Sequence, residues 1–106
     1  MFGVRMLSFG ETDIFAGATI VATNTLVVGG SERVDEHFAT FHESVILDWY
    51  IGDGERAERN DVICKLVGTE QALKSGEETA LRYLHSLSAS TAASDAVLFS
   101  MRYKID

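Results

Sequence analysis

The sequence predicts an α+β domain in which a mainly antiparallel sheet of about four strands packs against two principal helices. Two stretches have apolar residues at helical spacing, several short segments are rich in Thr, Ile and Val, and the chain ends in an apolar–polar alternation. The 106 residues are 46% hydrophobic and 24% charged, so we expect one soluble globular domain spanning residues 1–106.

The first third of the chain predicts two strand segments followed by a helix. Alternation over residues 2–7 weakly indicates a first strand, and residues 18–28 indicate a second with a hairpin or bulge near Asn24. Two consecutive glycines end that segment. Ser31 is the predicted N-cap of a short amphipathic helix over residues 32–41.

The middle of the chain predicts two strands joined by a turn and a polar loop. Residues 44–51 form an apolar segment of strand length. The Gly-Asp-Gly run at 52–54 is the strongest turn signal in the sequence, and the polar stretch 55–60 follows it. Residues 61–67 predict a further strand, which Gly68 closes.

The last third predicts the main helix and a closing strand. Residues 69–74 indicate one short helical turn. Ser75 and Glu78 have the spacing of a capping box, which predicts that the main helix begins at Ser75. Its apolar stripe consists of Ala80, Leu81, Leu84 and Leu87. Residues 99–105 alternate with period two, as a strand with one buried face does.

Composition excludes several classes of partner. The formal net charge of −7 repels phosphate backbones, so we expect no nucleic-acid partner. The apolar runs are far too short to span a bilayer, and the first residues lack the pattern of a signal peptide. We therefore expect a cytoplasmic protein without a membrane partner. The single cysteine, Cys64, fits a reducing compartment and is expected to be a small buried side chain.

Residue spacing favours neither a catalytic centre nor a metal or cofactor site. His37 and His42 are five residues apart, which places them about 140° apart on a helix rather than on one face. The run Gly29–Ser31 before a helix is compatible with an anion cradle but is more typical of a strand-to-helix turn. Cys64 shows no sign of activation in the sequence.

Four side chains are candidates for ligand binding: Glu78, Arg82, His85 and Trp49. Glu78 and Arg82 are four residues apart on one helical face, which predicts either a surface ion pair or an anion contact made by Arg82. His85 is expected at the boundary of the same helix. Strand alternation places Trp49 and Tyr50 on opposite faces, so one of them is expected to be exposed or at an interface.

Residues 45–57 resemble a half-motif of several sandwich-type domains, in which a strand bearing Trp leads through a Gly-Asp-Gly turn towards another strand. Lipoyl and biotinyl carrier domains have a similar arrangement but need a modifiable lysine at a tight hairpin. Lys65 lies within a predicted strand and Lys74 beside a helix start, which argues against a carrier domain.

Residues 67–88 narrow the choice. They resemble the signature of the quinolinate and nicotinate phosphoribosyltransferase family, in which a strand ending in Gly enters a Glu-Arg-x-x-Leu-Asn-Phe-Leu-x-x-Leu-Ser-Gly helix. The order and spacing of the elements over residues 18–88 agree with the family's N-terminal domain. The resemblance implies a sandwich of short strands and a long helix that packs against the barrel of a neighbouring subunit.

The resemblance also has departures. The family arginine, which reaches an anionic substrate in a neighbouring subunit, is Glu78 here, and the family asparagine is Arg82. The family's catalytic barrel follows this domain, whereas this sequence ends at Asp106. We therefore expect a domain that is not catalytic alone and that forms a homo-oligomer, such as a homodimer, or joins a barrel-domain partner. The alternative is a module that binds a small aromatic or anionic ligand or a protein, with Trp49 as the reporter.

Overall fold

The computed structural model describes residues 15–93 and 95–105, so the strand predicted over residues 2–7 lies outside them. The described elements are β1 (Phe15–Ala22), β2 (Leu26–Val27), α1 (Ser31–Phe41), β3 (Ile46–Trp49), β4 (Arg56–Ala57), β5 (Val62–Thr69), α2 (Glu70–Leu87) and β6 (Phe99–Ile105). The predicted α+β class, with a four-stranded antiparallel sheet and two helices, is confirmed. Among the described residues, no helix combines the length and apolar character needed to cross a bilayer.

The main sheet has the strand order β3-β5-β1-β6, and every neighbouring pair is antiparallel. β2 and β4 form a separate two-stranded ribbon. The strand predicted over residues 18–28 is broken near Asn24, as expected, but its two parts, β1 and β2, lie in different sheets and so form no hairpin. A register shift between Ile20 and Val21 precedes this division.

The core lies between the main sheet and the two helices. Alternate residues of β1 are buried, and Ala18 pairs with Leu66 of β5. Phe38 of α1 is also buried, and it approaches α2 at Gly76, where an added Cβ would lie 2.5 Å from the Phe38 Cζ atom. The glycine therefore lets the aromatic ring rest directly on the backbone of α2.

Both predicted helix starts were wrong. Ser31 is the first residue of α1, and the N-cap is Gly30, whose φ of 94° suits a residue without a Cβ. α2 begins at Glu70 rather than Ser75, because Thr69 caps it: the Thr69 hydroxyl accepts a hydrogen bond of 3.1 Å from the Ala72 amide. The predicted short turn and main helix are thus one continuous helix.

Two strand boundaries also differ from the prediction. β3 is limited to Ile46–Trp49, half the predicted length, because it pairs only with residues 64–67 of β5. β5 continues through Gly68 to Thr69 instead of ending before the glycine. An added Cβ at Gly68 would lie 2.8 Å from Cγ2 of Val45, so close packing against that side chain accounts for the glycine.

Candidate functional site

Three of the four predicted ligand-binding residues line one cleft between α2 and the segment that leads into β6. The cleft has a volume of about 410 Å³. Its α2 wall contains Glu78, Arg82 and His85, and its other wall is the segment 95–99. The structure therefore places His85 beside Glu78 and Arg82, the pair that the helical spacing grouped.

The packing of α2 decides which side chains reach this cleft. Leu73, Gly76, Ala80 and Leu84 are buried against the sheet and α1. Because these residues recur at three- and four-residue steps, Glu78 and Arg82 are turned to the solvent-facing surface of the helix. The cleft is thus a consequence of the same amphipathic pattern that buries the other side of α2.

Carboxylates outnumber the guanidinium in the cleft. Nη2 of Arg82 lies 3.1 Å from Oε2 of Glu78, and the two side chains are 68% and 84% exposed. Asp95 also lines the cleft, so two carboxylates accompany one guanidinium. An exposed i,i+4 ion pair stabilises a helix by only about 0.3–0.5 kcal/mol, so Arg82 is able to exchange Glu78 for another anion at little energetic cost.

Trp49 lies apart from the other three candidates. It is on β3, at one edge of the main sheet, whereas the cleft adjoins the start of β6 at the opposite edge. The Trp49 Nε1 atom donates a hydrogen bond of 2.8 Å to Oδ1 of Asp35 on α1. The indole is half-buried, and its hydrogen bond links α1 to the sheet. Tyr50 is exposed, as the strand alternation predicted for one of these two aromatic residues.

A contact between α2 and β6 was not foreseen. The Tyr103 hydroxyl donates a hydrogen bond of 2.6 Å to Oε1 of Glu77. Burial, this hydrogen bond and the neighbouring carboxylates of Glu77 and Glu70 raise the pKa of Tyr103 well above its ordinary range. The two residues are 26 positions apart, so no local spacing indicates the contact. It fixes the closing strand to the helix that carries the cleft.

The start of α1 already holds an anion from this chain. The backbone amide of Ser31 donates a hydrogen bond of 2.9 Å to Oδ1 of Asp53. The hydroxyl of Ser88 also bonds to both backbone groups of Gly29, and an added Cβ at Gly29 would lie 2.1 Å from the Leu87 carbonyl oxygen. The glycine run is therefore explained by a close approach of chain segments, with Asp53 as the anion at the helix start.

The separation predicted for His37 and His42 was wrong. Their ring centroids are 5.8 Å apart. His42 is the C-cap of α1, and its backbone angles, φ −146° and ψ 60°, are no longer those of a helix. Desolvation, and secondarily the charge of His42, lowers the pKa of His37. Among the described residues, no group of three or more His, Cys, Asp or Glu side chains is arranged to hold a metal ion.

The single cysteine is buried, in agreement with the sequence prediction. Cys64 lies on β5 and pairs in register with Ile20 and Trp49. Burial raises the pKa of its thiol to about 12. A thiol with so high a pKa is protonated at neutral pH, which disfavours a nucleophilic role.

Comparison with known proteins identifies the fold. The chain is similar to the nicotinate-nucleotide pyrophosphorylase from Francisella tularensis, with a TM-score of 0.68, 18% identity and coverage of 76% of this chain and 29% of that one. It is also similar to NadC from Streptococcus pyogenes, with a TM-score of 0.66, 20% identity and coverage of 76% and 30%. This chain thus spans less than a third of the length of each of those two chains.

The sequence match is more extensive than these structural likenesses. Residues 4–88 match the family described as quinolinate phosphoribosyl transferase, N-terminal domain. That range includes β1 through α2 and ends one residue after the last residue of α2. Because the match covers well over half of the sequence, the chain belongs to the quinolinate phosphoribosyl transferase N-terminal domain family.

Proposed function

We propose that this chain acts as a non-catalytic packing domain, which joins a barrel-bearing partner in a phosphoribosyltransferase of pyridine nucleotide synthesis. Family membership over residues 4–88 supports this role. So does the fold shared with two enzymes that are each more than three times longer than the matched region.

The observation that carries the proposal is the surface formed by α2 and the segment before β6. Arg82, His85 and Glu78 provide polar groups, and the neighbouring Val97 is 65% exposed to solvent. Protein interfaces combine an apolar core with a polar rim, and an exposed apolar residue beside polar side chains fits that arrangement. Leu87, at the end of the same helix, is also half-exposed and would extend the apolar part of the contact.

Arg82 has the chemistry for an anion contact across such an interface. Its guanidinium binds carboxylates or phosphates through two parallel hydrogen bonds. In the family that the sequence resembles, the arginine for this contact is one turn earlier, where this chain has Glu78. On binding, Arg82 would release Glu78 and turn towards the anionic substrate at the partner's barrel.

The test is reconstitution with the barrel domain of a nicotinate-nucleotide pyrophosphorylase that lacks its own N-terminal domain. Binding is measured by isothermal titration calorimetry, and transfer of the phosphoribosyl group to quinolinate is measured by product formation. We expect a stoichiometric complex, and a rate that falls about tenfold in Arg82→Ala, which corresponds to about 1.4 kcal/mol. Arg33→Ala, which removes an exposed cation from α1, should leave the rate unchanged.

The converse substitution sharpens the test. Glu78→Arg removes the competing carboxylate and restores the residue that the resembled family has, so it should raise the reconstituted rate. If the barrel neither binds the chain nor gains activity with either form, the packing role is wrong. In the absence of a barrel, we expect the same surface to self-associate, which sedimentation velocity detects as a concentration-dependent mass. A monomer at every concentration would contradict this homo-oligomer prediction.

A further inference from the structure

We propose that the face of the main sheet opposite the helices contains a second site, which binds a small organic anion carrying two or more acidic groups. The site is a hollow centred on Gly17, with a volume of about 780 Å³. That volume lies within the range of about 300–1,000 Å³ that is usual for small-ligand sites. The hollow is separate from the Arg82 cleft, so the inference goes beyond the proposed packing function.

Strand register explains why a hollow forms at this place. Gly17 of β1 pairs with Val67 of β5 on one side and with Lys104 of β6 on the other. Because Gly17 has no side chain, the centre of this row is lower than its flanks. An added Cβ would lie 3.8 Å from the nearest carbonyl oxygen, so the backbone does not require glycine at this position.

Three cations surround the hollow. Lys65 and Arg102 flank Thr19 in the adjacent row of the sheet, and Lys104 lies two residues along β6 from Arg102. Strands are about 4.8 Å apart, so the backbones of Lys65 and Arg102 are separated by about 10 Å. Their long side chains can therefore converge on one ligand that has spaced acidic groups.

The cations of the hollow form no ion pair within 4.0 Å in the described part of the chain. No Asp or Glu is among its lining residues, and the described ion pairs within 4.0 Å involve only Arg56, Lys74 and Arg82. Asp48 pairs in register with Lys65 from the outer side, on β3, but forms no such ion pair. A protein with net charge −7 thus has three cations along one face of its sheet, and Asp48, in register with Lys65, is the one acidic side chain that the described strand pairing places beside them.

Protection of the sheet edge does not account for all three cations. Lys and Arg on an edge strand hinder unwanted strand pairing, and this explains Arg102 and Lys104 on β6. Lys65, however, lies on β5, which is paired on both sides. The hollow also has an apolar wall, because Phe15 is 67% exposed and Val67 is 43% exposed. A ligand with an apolar body and spaced acidic groups fits both features.

The test is an amide chemical-shift titration of the full chain with naphthalenetrisulfonate at constant ionic strength. Sulfate and naphthalenemonosulfonate serve as probes that lack either the apolar body or the multiple charges. We expect saturable shifts of the Gly17 and Thr19 amides with naphthalenetrisulfonate, and weaker binding of both comparison probes. Shifts that map to the Arg82 cleft instead, or the absence of saturable binding, would overturn the proposal.

Two kinds of variant separate charge from shape. The triple variant Lys65→Gln, Arg102→Gln and Lys104→Gln should raise the dissociation constant at least about tenfold. The matched control Arg33→Gln, Arg59→Gln and Lys74→Gln removes the same charge from exposed positions elsewhere and should change it less than about twofold. Equal losses in both triple variants would show that only net charge matters and would overturn the site.

Gly17→Val fills the hollow without changing any charge. We expect it to raise the dissociation constant about tenfold through lost shape complementarity. Valine is favoured in strands, so the denaturation midpoint should be unchanged or higher. Unaltered binding in a folded Gly17→Val protein would overturn the assignment of the ligand to this hollow.

Discussion

The two faces of the main sheet are built from alternate residues of the same strands but have opposite physical characters. On β5, Leu66 is fully buried beneath the helices, whereas Val67 is 43% exposed on the other face. On β1, Ala18 belongs to the core and its neighbour Gly17 lines the open hollow. The covered face forms the hydrophobic core, whereas the open face has exposed charged side chains around the hollow.

The largest expected effect comes from testing this difference on one strand. Leu66→Ala removes a fully buried side chain and leaves a cavity, so it should lower the free energy of unfolding by about 2–5 kcal/mol. Val67→Ala, the matched change on the open face, should cost about 0.5 kcal/mol. Urea denaturation followed by Trp49 fluorescence measures both values. Similar losses would contradict the assignment of the two faces.

A second comparison uses two glycines on opposite sides of the sheet. Gly76→Ala would place a Cβ 2.5 Å from the Phe38 ring and should lower the free energy of unfolding by about 1–3 kcal/mol, despite the higher helix propensity of alanine. Gly17→Ala meets no atom closer than 3.8 Å and should be neutral or slightly stabilising. The double variant Phe38→Leu/Gly76→Ala should lose less than the sum of its parts, which denaturation also tests.

The buried thiol of Cys64, on the covered face, predicts that the protein loses stability at alkaline pH. Burial raises the pKa of Cys64 to about 12, above its ordinary value of 9.0, so the folded state keeps the thiol protonated where the unfolded state loses the proton. The free energy of unfolding that the Cys64 thiol contributes is fully present below pH 9 and is lost as the pH rises towards about 12. We expect a loss of about 1 kcal/mol between pH 8.5 and pH 10.

The control for the alkaline prediction is Cys64→Ala, which should remove this part of the pH dependence even if its stability at pH 7 is lower. Tyr103→Phe serves as a second control, because the pKa of Tyr103 is also raised and contributes above pH 10. Identical pH profiles for the original chain and Cys64→Ala would show that the thiol is not the group responsible.

The smallest expected effect concerns the start of α2, where the strand passes directly into the helix. Thr69→Ala removes the hydroxyl that caps the Ala72 amide and should lower the free energy of unfolding by about 1 kcal/mol. Ser75→Ala, at an exposed position within the helix, should change it by a few tenths or stabilise it slightly. The reverse order of these two effects would instead support a helix that begins at Ser75.

Local patterns were sufficient for the class of the fold and for part of the candidate site. The alternation over residues 99–105 predicted β6, and helical spacing grouped Glu78 with Arg82, which form the surface ion pair that was one of the two predicted alternatives. The capping-box pattern at Ser75 was misleading, because Thr69 offers an earlier cap at the end of β5. The caps offered by Thr69 and Ser75 are both local sequence patterns. The helix starts at the first of them because β5 ends at Thr69.

Other contacts could not be predicted, because they join residues that are distant in sequence. Asp53 reaches the start of α1, and Tyr103 reaches Glu77 on α2. The hollow at Gly17 depends on the register of three strands, which brings Lys65 and Arg102 to either side of β1. A single sequence states which residues alternate on a strand but does not state which residues of the neighbouring strands lie beside them.

The sequence by itself indicated the α+β class, the approximate positions of most elements and the family, since these depend on hydrophobic periods and a continuous motif. The tertiary structure alone decided the strand order, the helix starts and the separation of Trp49 from the Arg82 cleft. The physical reason is that side-chain period is a property of neighbouring residues, whereas pairing register and close approach are settled by packing across the whole core.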